Sequence, residues 1–355
     1  MNTNDDIILY STIEQQIEKL KSQNLIIRDE NRAKTVLKLY GYSNLIKGYR
    51  EPYVIKSGDS ITYRSGVSLD QIESLYLLDK HLRNSVMAAM LDLEENLKAA
   101  CADVIASSFG THQDDYLQFS NYRDKRRRRP QFELGSILNN MKHTIETSDK
   151  NPILHYRQEH GTIPPWILFK NVYFSTIINF INLFKTPEKN LLIHHLYNVD
   201  KLPFTIEQLN RVMMNTLFIC LEYRNLAAHG GRTYNHICES TIDYNVFSFD
   251  RNTSPHGFNL LLFLLSQFEY KDPFHILANS LNYEVNRHCQ HFPEDVTYLG
   301  RILNVDIKSE TVGFITQNSN KYHFNPHCSG IMNTTKVPVE KLKEQGYIPC
   351  KKCTK

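Results

Sequence analysis

The segment Glu222 to Arg232 reads Glu-Tyr-Arg-Asn-Leu-Ala-Ala-His-Gly-Gly-Arg and places Arg224 five positions before His229. A guanidinium is a rigid fork of N–H donors that suits phosphate oxygens, and an imidazole exchanges protons near neutral pH. This pair is suited to metal-independent RNA cleavage. The ribose 2′-OH would attack the adjacent phosphorus while His229 moves a proton and Arg224 stabilises charge on the phosphoryl oxygens. The expected products carry 2′,3′-cyclic phosphate and 5′-OH ends.

The element that carries this pair is predicted to be a helix. Thr205 is suited to capping its start, apolar residues recur at helical spacing, and Gly230-Gly231 is a typical helix stop. His229 is therefore expected in the last turn, where the helix dipole favours an imidazolium by about 0.3–1 kcal/mol.

The angular spacing of the pair constrains how a site could form. At about 100° per residue, positions 224 and 229 point about 140° apart on a straight helix. The arginine must curl towards the histidine, the helix must loosen at its end, or two copies of the chain must combine their motifs. Geometry favours the last arrangement, a homodimer with a composite site. The alternative is that both side chains merely cap carbonyl groups and contact solvent, because the bare spacing is a weak pattern.

A run of five cations forms the most concentrated charge in the chain. Pro130 and the polar residues before the run predict a loop, and phosphate neutralisation by such a run would favour RNA as a partner. The alternative is a solvated loop without a ligand. The candidate RNA-binding residues of this run are Lys125, Arg126, Arg127, Arg128 and Arg129.

The C-terminal segment contains histidines and cysteines with the spacing of a small zinc module. Cys350 and Cys353 form a Cys-x2-Cys pair after a Gly-Tyr-Ile-Pro turn, and Cys328 lies upstream. The segment resembles the zinc modules of Ada-type DNA repair proteins, with a histidine replacing one thiolate. His323 is favoured over His327 as that ligand. The site would be closed and structural; a redox dithiol and unligated cysteines are the alternatives.

Helical periodicity predominates over the rest of the chain. Ser11 or Thr12 with Gln15 is predicted to cap a first helix, and a long helix is expected from Ser68 to Phe109. A buried helix is also predicted from Trp166 to Phe184. No alternation of strands and helices is apparent, and short strand-like pieces follow Leu303. The expected fold class is mainly α, with a small C-terminal α+β module.

Composition sets broad limits on the protein. The chain has 355 residues, a formal net charge of +3 and 41% hydrophobic residues, so any contact with nucleic acid must come from local patches. The most apolar run, 258–265, is shorter than the roughly 18 residues of a membrane span. The N-terminus lacks the pattern of a signal peptide, and the odd number of cysteines, 7, does not suggest a secreted disulfide framework. We therefore expect a cytoplasmic protein without membrane partners.

The residues around His229 resemble a known motif. The segment 224–235, Arg-Asn-Leu-Ala-Ala-His-Gly-Gly-Arg-Thr-Tyr-Asn, is similar to the R-N-x-x-x-H motif of HEPN domains. It resembles in particular the form in bacterial abortive-infection proteins of the AbiD/AbiF type, the Abi-like family. Segments 12–49, 75–97 and 163–166 are also similar to that family, and the resemblance covers about residues 8 to 290.

The resemblance implies an organisation and a set of roles. An N-terminal helical segment, 1–65, would precede a HEPN-like helical bundle, 66–300. The Cys/His module, which follows the change of composition near Leu303 and lies outside the resemblance, would occupy 305–355. The implied function is phage defence by a toxin-like RNA effector that halts growth in infected cells, held inactive by a partner RNA or protein. The implied site residues are the catalytic pair Arg224 and His229, Asn225 orienting the histidine, and Arg232 contacting a substrate phosphate.

Two alternatives to a nuclease remain open. Some HEPN-type proteins bind RNA without cleaving it, so the same residues could grip phosphates of a small non-coding RNA. A helical scaffold for protein interaction is the third interpretation. No cofactor is expected for catalysis.

Overall fold

The computed structural model describes residues 10–58, 60–247, 249, 254–307, 312–317, 319–323, 328, 331 and 334–352. Helices dominate and strands are short, so the predicted mainly α fold class is confirmed. The chain forms two compact units, one of residues 1–82 with 281–355 and one of residues 83–280. The division into segments 1–65, 66–300 and 305–355 stays a prediction.

The elements are numbered in chain order through the described residues. The α-helices are α1 (Ile13–Ser22), α2 (Glu30–Tyr40), α3 (Leu69–Phe109), α4 (Gln113–Tyr116), α5 (Leu134–Thr147), α6 (Ile153–Glu159), α7 (Pro165–Leu168), α8 (Phe174–Asn182), α9 (Thr186–Leu196), α10 (Ile206–Ala228), α11 (Gly257–Gln267), α12 (Asp272–His291), α13 (Val296–Leu303) and α14 (Val339–Glu344). The strands are β1 (Val54–Ser57), β2 (Ser60–Tyr63), β3 (Val312–Ile315), β4 (Lys321–Tyr322), β5 (Thr335–Pro338) and β6 (Ile348–Pro349).

The first unit begins with a capped helix pair. Thr12 and Gln15 cap α1 reciprocally through side chain and backbone, which confirms the predicted capping box. Arg32 of α2 contacts Asp70 and lies 2.6 Å from Glu73, both near the start of α3. A single turn of π-helix, Ser43–Lys47, then leads to the antiparallel hairpin of β1 and β2.

The long helix α3 follows the apolar pattern of the sequence. The apolar side chains at its helically spaced positions are buried, and Gly110 follows the helix with a φ of +88°. A glycine accepts this left-handed backbone without a Cβ penalty. The predicted helix from Ser68 to Phe109 is therefore confirmed as Leu69–Phe109.

The helix predicted from Trp166 to Phe184 is wrong as a single element. The chain forms the short α7, a 3₁₀ turn at Phe169–Asn171 and the separate α8, and Trp166 is 46% exposed. The segment is not uniformly apolar, because Lys170 and Asn171 are exposed within it, and the backbone becomes extended at Val172. Buried residues lie on both sides of this break.

The apolar run 258–265 lies within α11, and most of its side chains are buried, as predicted. Among the residues that the structure describes, no helix combines the length and the apolarity needed to cross a bilayer.

The C-terminal segment folds around a small core of Tyr322, Val339 and Leu342. Strand β3 pairs antiparallel with β5, and β4 pairs parallel with β6. A further bridge joins Phe314 to His323. These pairings bring residues near 323 and 350 to the same end of the segment.

Candidate functional site

Helix α10 carries the predicted site, and its own sequence fixes both of its ends. Thr205 accepts from the backbone N–H of Gln208, whose side chain accepts from the N–H of Thr205 in return. Apolar residues on one face of α10 are buried through Cys220 to Tyr223. The burial of this face holds the C-terminal end of α10 in place, so the motif lies on a fixed element.

The C-terminal end of α10 closes in a Schellman motif. The N–H of Gly231 donates to the carbonyl of Leu226 at 2.8 Å, and the N–H of Gly230 donates to the carbonyl of Ala227 at 3.2 Å. Gly230 has a φ of +72°, whereas Gly231 is confined by packing. A Cβ on Gly231 would lie 2.2 Å from Cδ1 of Leu226 and 3.1 Å from its carbonyl oxygen. Gly230 is therefore needed for its left-handed backbone, and Gly231 is needed because no space is left for a side chain.

His229 is the residue that caps this end. Its backbone N–H donates to the carbonyl of Asn225 at 3.1 Å, and its side chain is exposed. The imidazole thus lies at the negative end of the helix dipole and is open to a ligand. Its predicted place in the last turn is confirmed to within one residue.

Arg224 is half-buried on the penultimate turn of α10. Its Nη1 donates to Oδ1 of Asn225 at 3.2 Å, and its Nε is buried without a hydrogen-bond partner among the described residues. No carboxylate pairs with Arg224 in the described part of the chain. The structure brings Arg224 and Asn225 together, but no hydrogen bond joins Arg224 to His229 there. A guanidinium with an unsatisfied N–H and no counter-ion is suited to an anionic ligand.

Cations from other parts of the same unit lie near the motif. The side chain of Arg232 is exposed directly after the glycines. Nη1 of Arg83, on α3, approaches the carbonyl of Gly231 at 3.5 Å. Arg83 was missed from the sequence because only the packing of α3 reveals it.

The loop after the motif is held by Glu222. The carboxylate accepts from the backbone N–H groups of Glu239 and Ser240 at 2.8 and 3.1 Å and lies 2.7 Å from Nε2 of His236. Burial raises the pKa of Glu222, but these hydrogen bonds outweigh it and the pKa is lowered overall. The carboxylate therefore stays ionised and fixes the segment 236–240 against α10. Sequence reasoning missed this role.

Glu222, His236 and Cys238 also place one potential metal-ligand atom each within 4.8 Å of one another. The carboxylate oxygens already accept three hydrogen bonds. Burial, with the nearby Glu222 carboxylate, raises the pKa of the Cys238 thiol to about 12. We interpret this group as a clamp on the loop.

The basic run lies in a loop, as predicted. Arg127 is half-buried and its Nη2 donates to Oδ1 of Asn179 on α8 at 3.1 Å, whereas the other four cations of the run are exposed. Arg127 therefore anchors the loop and leaves Lys125, Arg126, Arg128 and Arg129 facing solvent. Their contact with RNA stays a prediction.

The run has a buried neighbour that the sequence did not reveal. Lys189 on α9 is only 7% exposed. Burial, with the charges of Arg123, Lys125 and Arg127, lowers the pKa of Lys189 to about 8. Burial therefore disfavours the positive charge of Lys189 most, and the three neighbouring cations disfavour it further.

Three of the predicted metal ligands lie together at the C-terminal end. Ligand atoms of His323, Cys328 and Cys350 lie within 4.8 Å of one another, and the two sulfur atoms are 3.9 Å apart. Tetrahedral zinc with bonds of about 2.3 Å to sulfur sets the two thiolates about 3.8 Å apart. Cys353 and His327 lie outside the described residues. Burial, with the charge of Lys321, lowers the pKa of His323, so its imidazole is predominantly neutral, as a ligand must be.

Comparison with known proteins identifies the family. The family model of the Abi-like proteins matches residues 35–235, more than half of the chain, so the chain belongs to that family. The match begins in α2 and ends just after the Arg224–His229 motif. No curated protein and no solved structure matches the chain. Membership indicates a role in abortive infection, a form of phage defence.

Replacing Gly231 with alanine should lower the free energy of unfolding by about 1–3 kcal/mol, because the new Cβ would overlap Leu226. Gly230→Asn is the matched control, since asparagine tolerates left-handed backbone and nothing lies within 4 Å of that Cβ. Denaturant unfolding followed by circular dichroism measures both. Equal losses in the two variants would contradict the packing argument.

The depressed pKa of Lys189 predicts a pH dependence of stability. Between its folded value of about 8 and its ordinary value of 10.5, the unfolded chain binds a proton that the folded chain does not. Stability should therefore rise with pH across this window, by about 1–3 kcal/mol relative to Lys189→Met. Lys185→Met, which removes an exposed cation, is the control. A difference between wild type and Lys189→Met that stays constant with pH would refute the assignment.

Proposed function

We propose that this Abi-like protein is a phage-defence effector that cleaves RNA without a catalytic metal. The observation that carries the proposal is the end of α10. There the exposed imidazole of His229 caps the helix, and the half-buried guanidinium of Arg224 has no carboxylate partner in the described part of the chain. The segment also fits the R-N-x-x-x-H pattern of HEPN nucleases, here of the AbiD/AbiF type.

The proposed reaction is transesterification within the RNA. The 2′-oxygen forms a bond to phosphorus, the bond from phosphorus to the 5′-oxygen breaks, and the 2′-proton passes to a base. The departing 5′-oxygen takes up a proton. His229 carries out proton transfer and Arg224 stabilises the charge on the phosphoryl oxygens. Asn225, which the sequence suggested would orient the histidine, instead holds the arginine through the hydrogen bond at 3.2 Å.

One imidazole cannot act as base and acid in the same step. A homodimer that apposes two copies of the α10 end would supply two histidines and two guanidinium groups to one phosphate. This arrangement also accommodates the separation of the two side chains along α10. We propose that the active form is such a dimer.

RNA would be held by cations outside the reacting pair. Arg232 is exposed beside His229, and Lys125, Arg126, Arg128 and Arg129 form the exposed part of the basic loop. Burial is the main cause of the lowered pKa of Lys189, and the nearby charges of Arg123, Lys125 and Arg127 add to it. RNA phosphates bound by the exposed cations of the loop would release counterions.

The second candidate function is RNA binding without turnover. The separation of Arg224 from His229 within one chain favours it, because no hydrogen bond joins these two side chains among the described residues. In that case the α10 end would grip the phosphates of a small non-coding RNA.

The C-terminal group supports a structural zinc site. His323, Cys328 and Cys350 would supply three ligands, and Cys353, which lies outside the described residues, would supply the fourth. Bound zinc would join the chain just after β4, at His323, to the chain just after β6, at Cys350, in a segment whose core is small.

Replacing His229 with alanine should slow RNA cleavage by about 10²- to 10⁴-fold, the usual contribution of general acid–base catalysis. RNA affinity should change little. His275→Ala, which removes another exposed histidine of the same unit, is the control. Cleavage of labelled RNA and its binding are measured in parallel. Unchanged cleavage by His229→Ala would contradict the assignment of a nuclease that uses His229. RNA binding by the wild-type protein without detectable cleavage would favour the second candidate function, RNA binding without turnover.

Purified protein should contain about one equivalent of zinc by elemental analysis. Cys350→Ser should lose most of it, because one of the adjacent thiolates is removed. Cys238→Ser, from the Glu222 clamp, should retain it. Full zinc content in Cys350→Ser, or less than about half an equivalent in wild type, would contradict the proposed site.

A further inference from the structure

A pocket separate from the α10 end opens in the N-terminal part of the first unit. It lies between the C-terminal half of α1, the π-helical turn and strand β2, and its volume is about 450 Å³. This volume falls in the range of sites for small molecules, about 300–1,000 Å³. Its principal lining residues are Lys19, Gln23, Tyr42, Lys47, Arg50 and Thr62.

The charges that line this pocket are all positive among the described residues. Lys19, Lys47 and Arg50 have no ion-pair partner in the described part of the chain. Lys21, on the same helix as Lys19, is 3.1 Å from Glu18 and 2.5 Å from Glu30. The pocket thus concentrates three unpaired cations, whereas a neighbouring cation is neutralised.

Two residues that line the pocket each have a buried polar atom without a hydrogen-bond partner among the described residues. These atoms are Oε1 of Gln23 and the hydroxyl group of Tyr42. Burial raises the pKa of Tyr42 despite the nearby Arg50, so the phenol stays protonated and can donate. A buried polar group without a partner costs about 1–3 kcal/mol, which a ligand would recover by accepting a hydrogen bond from the Tyr42 hydroxyl or by donating one to Oε1 of Gln23.

The walls of the pocket are held by backbone contacts. The N–H of Tyr63 donates to the carbonyl of Gln23 at 2.8 Å, and Nδ2 of Asn24 donates to the carbonyl of Tyr63 at 3.2 Å. Tyr42 directly precedes the π-helical turn Ser43–Lys47, and Lys47 is the last residue of the turn; this conformation occurs often at functional sites. The cations are therefore carried on a fixed frame.

We infer that this pocket binds the phosphate group of a nucleotide. Lysine and arginine supply charge, the tyrosine hydroxyl donates a hydrogen bond, and the volume accommodates a sugar and base beside the phosphate. The Gln23 amide can hydrogen-bond to either of those groups. The phosphate belongs to a free nucleotide or to the 5′-end of an RNA. This site is independent of the chemistry proposed for Arg224 and His229.

The test measures binding to full-length His229→Ala protein, so that RNA is not consumed by the proposed nuclease. The probes are AMP, ATP and a short RNA with either a 5′-phosphate or a 5′-OH end. If the ligand is a free nucleotide, we expect AMP or ATP to bind. If the ligand is the end of an RNA, we expect the 5′-phosphorylated RNA to bind more tightly than the 5′-OH RNA, and neither AMP nor ATP to bind. Failure of all three phosphorylated probes to bind, or equal binding of the two RNAs without nucleotide binding, would overturn the inference.

Arg50→Gln should weaken binding of whichever phosphorylated probe binds the parent protein by about tenfold or more, which is the loss expected for one charge-assisted contact. Lys56→Gln, on β1 outside the pocket lining, should bind as the parent does. Equal affinities of Arg50→Gln and the parent would overturn the assignment of the pocket.

Tyr42→Phe separates binding from a structural role. It removes a buried hydroxyl that has no partner among the described residues, so the ligand-free protein should melt at the same or a higher temperature. The rise in melting temperature that the bound probe produces should nevertheless be smaller in Tyr42→Phe than in the parent protein. A lower melting temperature without ligand, combined with unchanged stabilisation by the probe, would show that the hydroxyl serves folding alone and would refute its assigned role.

Discussion

The carbonyl groups at the end of α10 need hydrogen-bond partners, and two glycines provide them. Gly231 and Gly230 donate to Leu226 and Ala227, and this closure leaves His229 as the exposed cap. A larger side chain at Gly231 would displace the closure, because Leu226 fills the space beside it. The position of the imidazole relative to α10 therefore depends on satisfying the last carbonyls of a helix.

The residues around the end of α10 leave the positive charge of Arg224 without a carboxylate partner in the described part of the chain. Glu222, the nearest carboxylate in the sequence, is engaged by two backbone N–H groups and by His236, so it fixes the following loop. Arg224 is steadied by an uncharged amide. The charge of Arg224 therefore stays available to the RNA phosphate that we propose as its ligand.

Much of the fold could be predicted from the sequence, because the patterns involved relate residues that are about one helical turn apart. The reciprocal cap of Thr12 and Gln15, the glycine stop after α10 and the apolar stripe of α3 are of this kind. The break at Val172 was not predictable, since it depends on what surrounds the segment. For the site, sequence reasoning identified Arg224 and His229, but the contacts of Glu222 with residues 236–240 and of Arg83 with Gly231 arise only from tertiary packing.

The central claim is that the α10 end of this Abi-like protein transfers a phosphoryl group to the ribose 2′-oxygen. The most direct measurement is the chemical identity of the ends on RNA fragments produced by the purified wild-type protein. We expect a 2′,3′-cyclic phosphate on one side of each cut and a 5′-hydroxyl on the other. Fragments that carry 5′-phosphate and 3′-hydroxyl ends would contradict it, because those ends require attack by water.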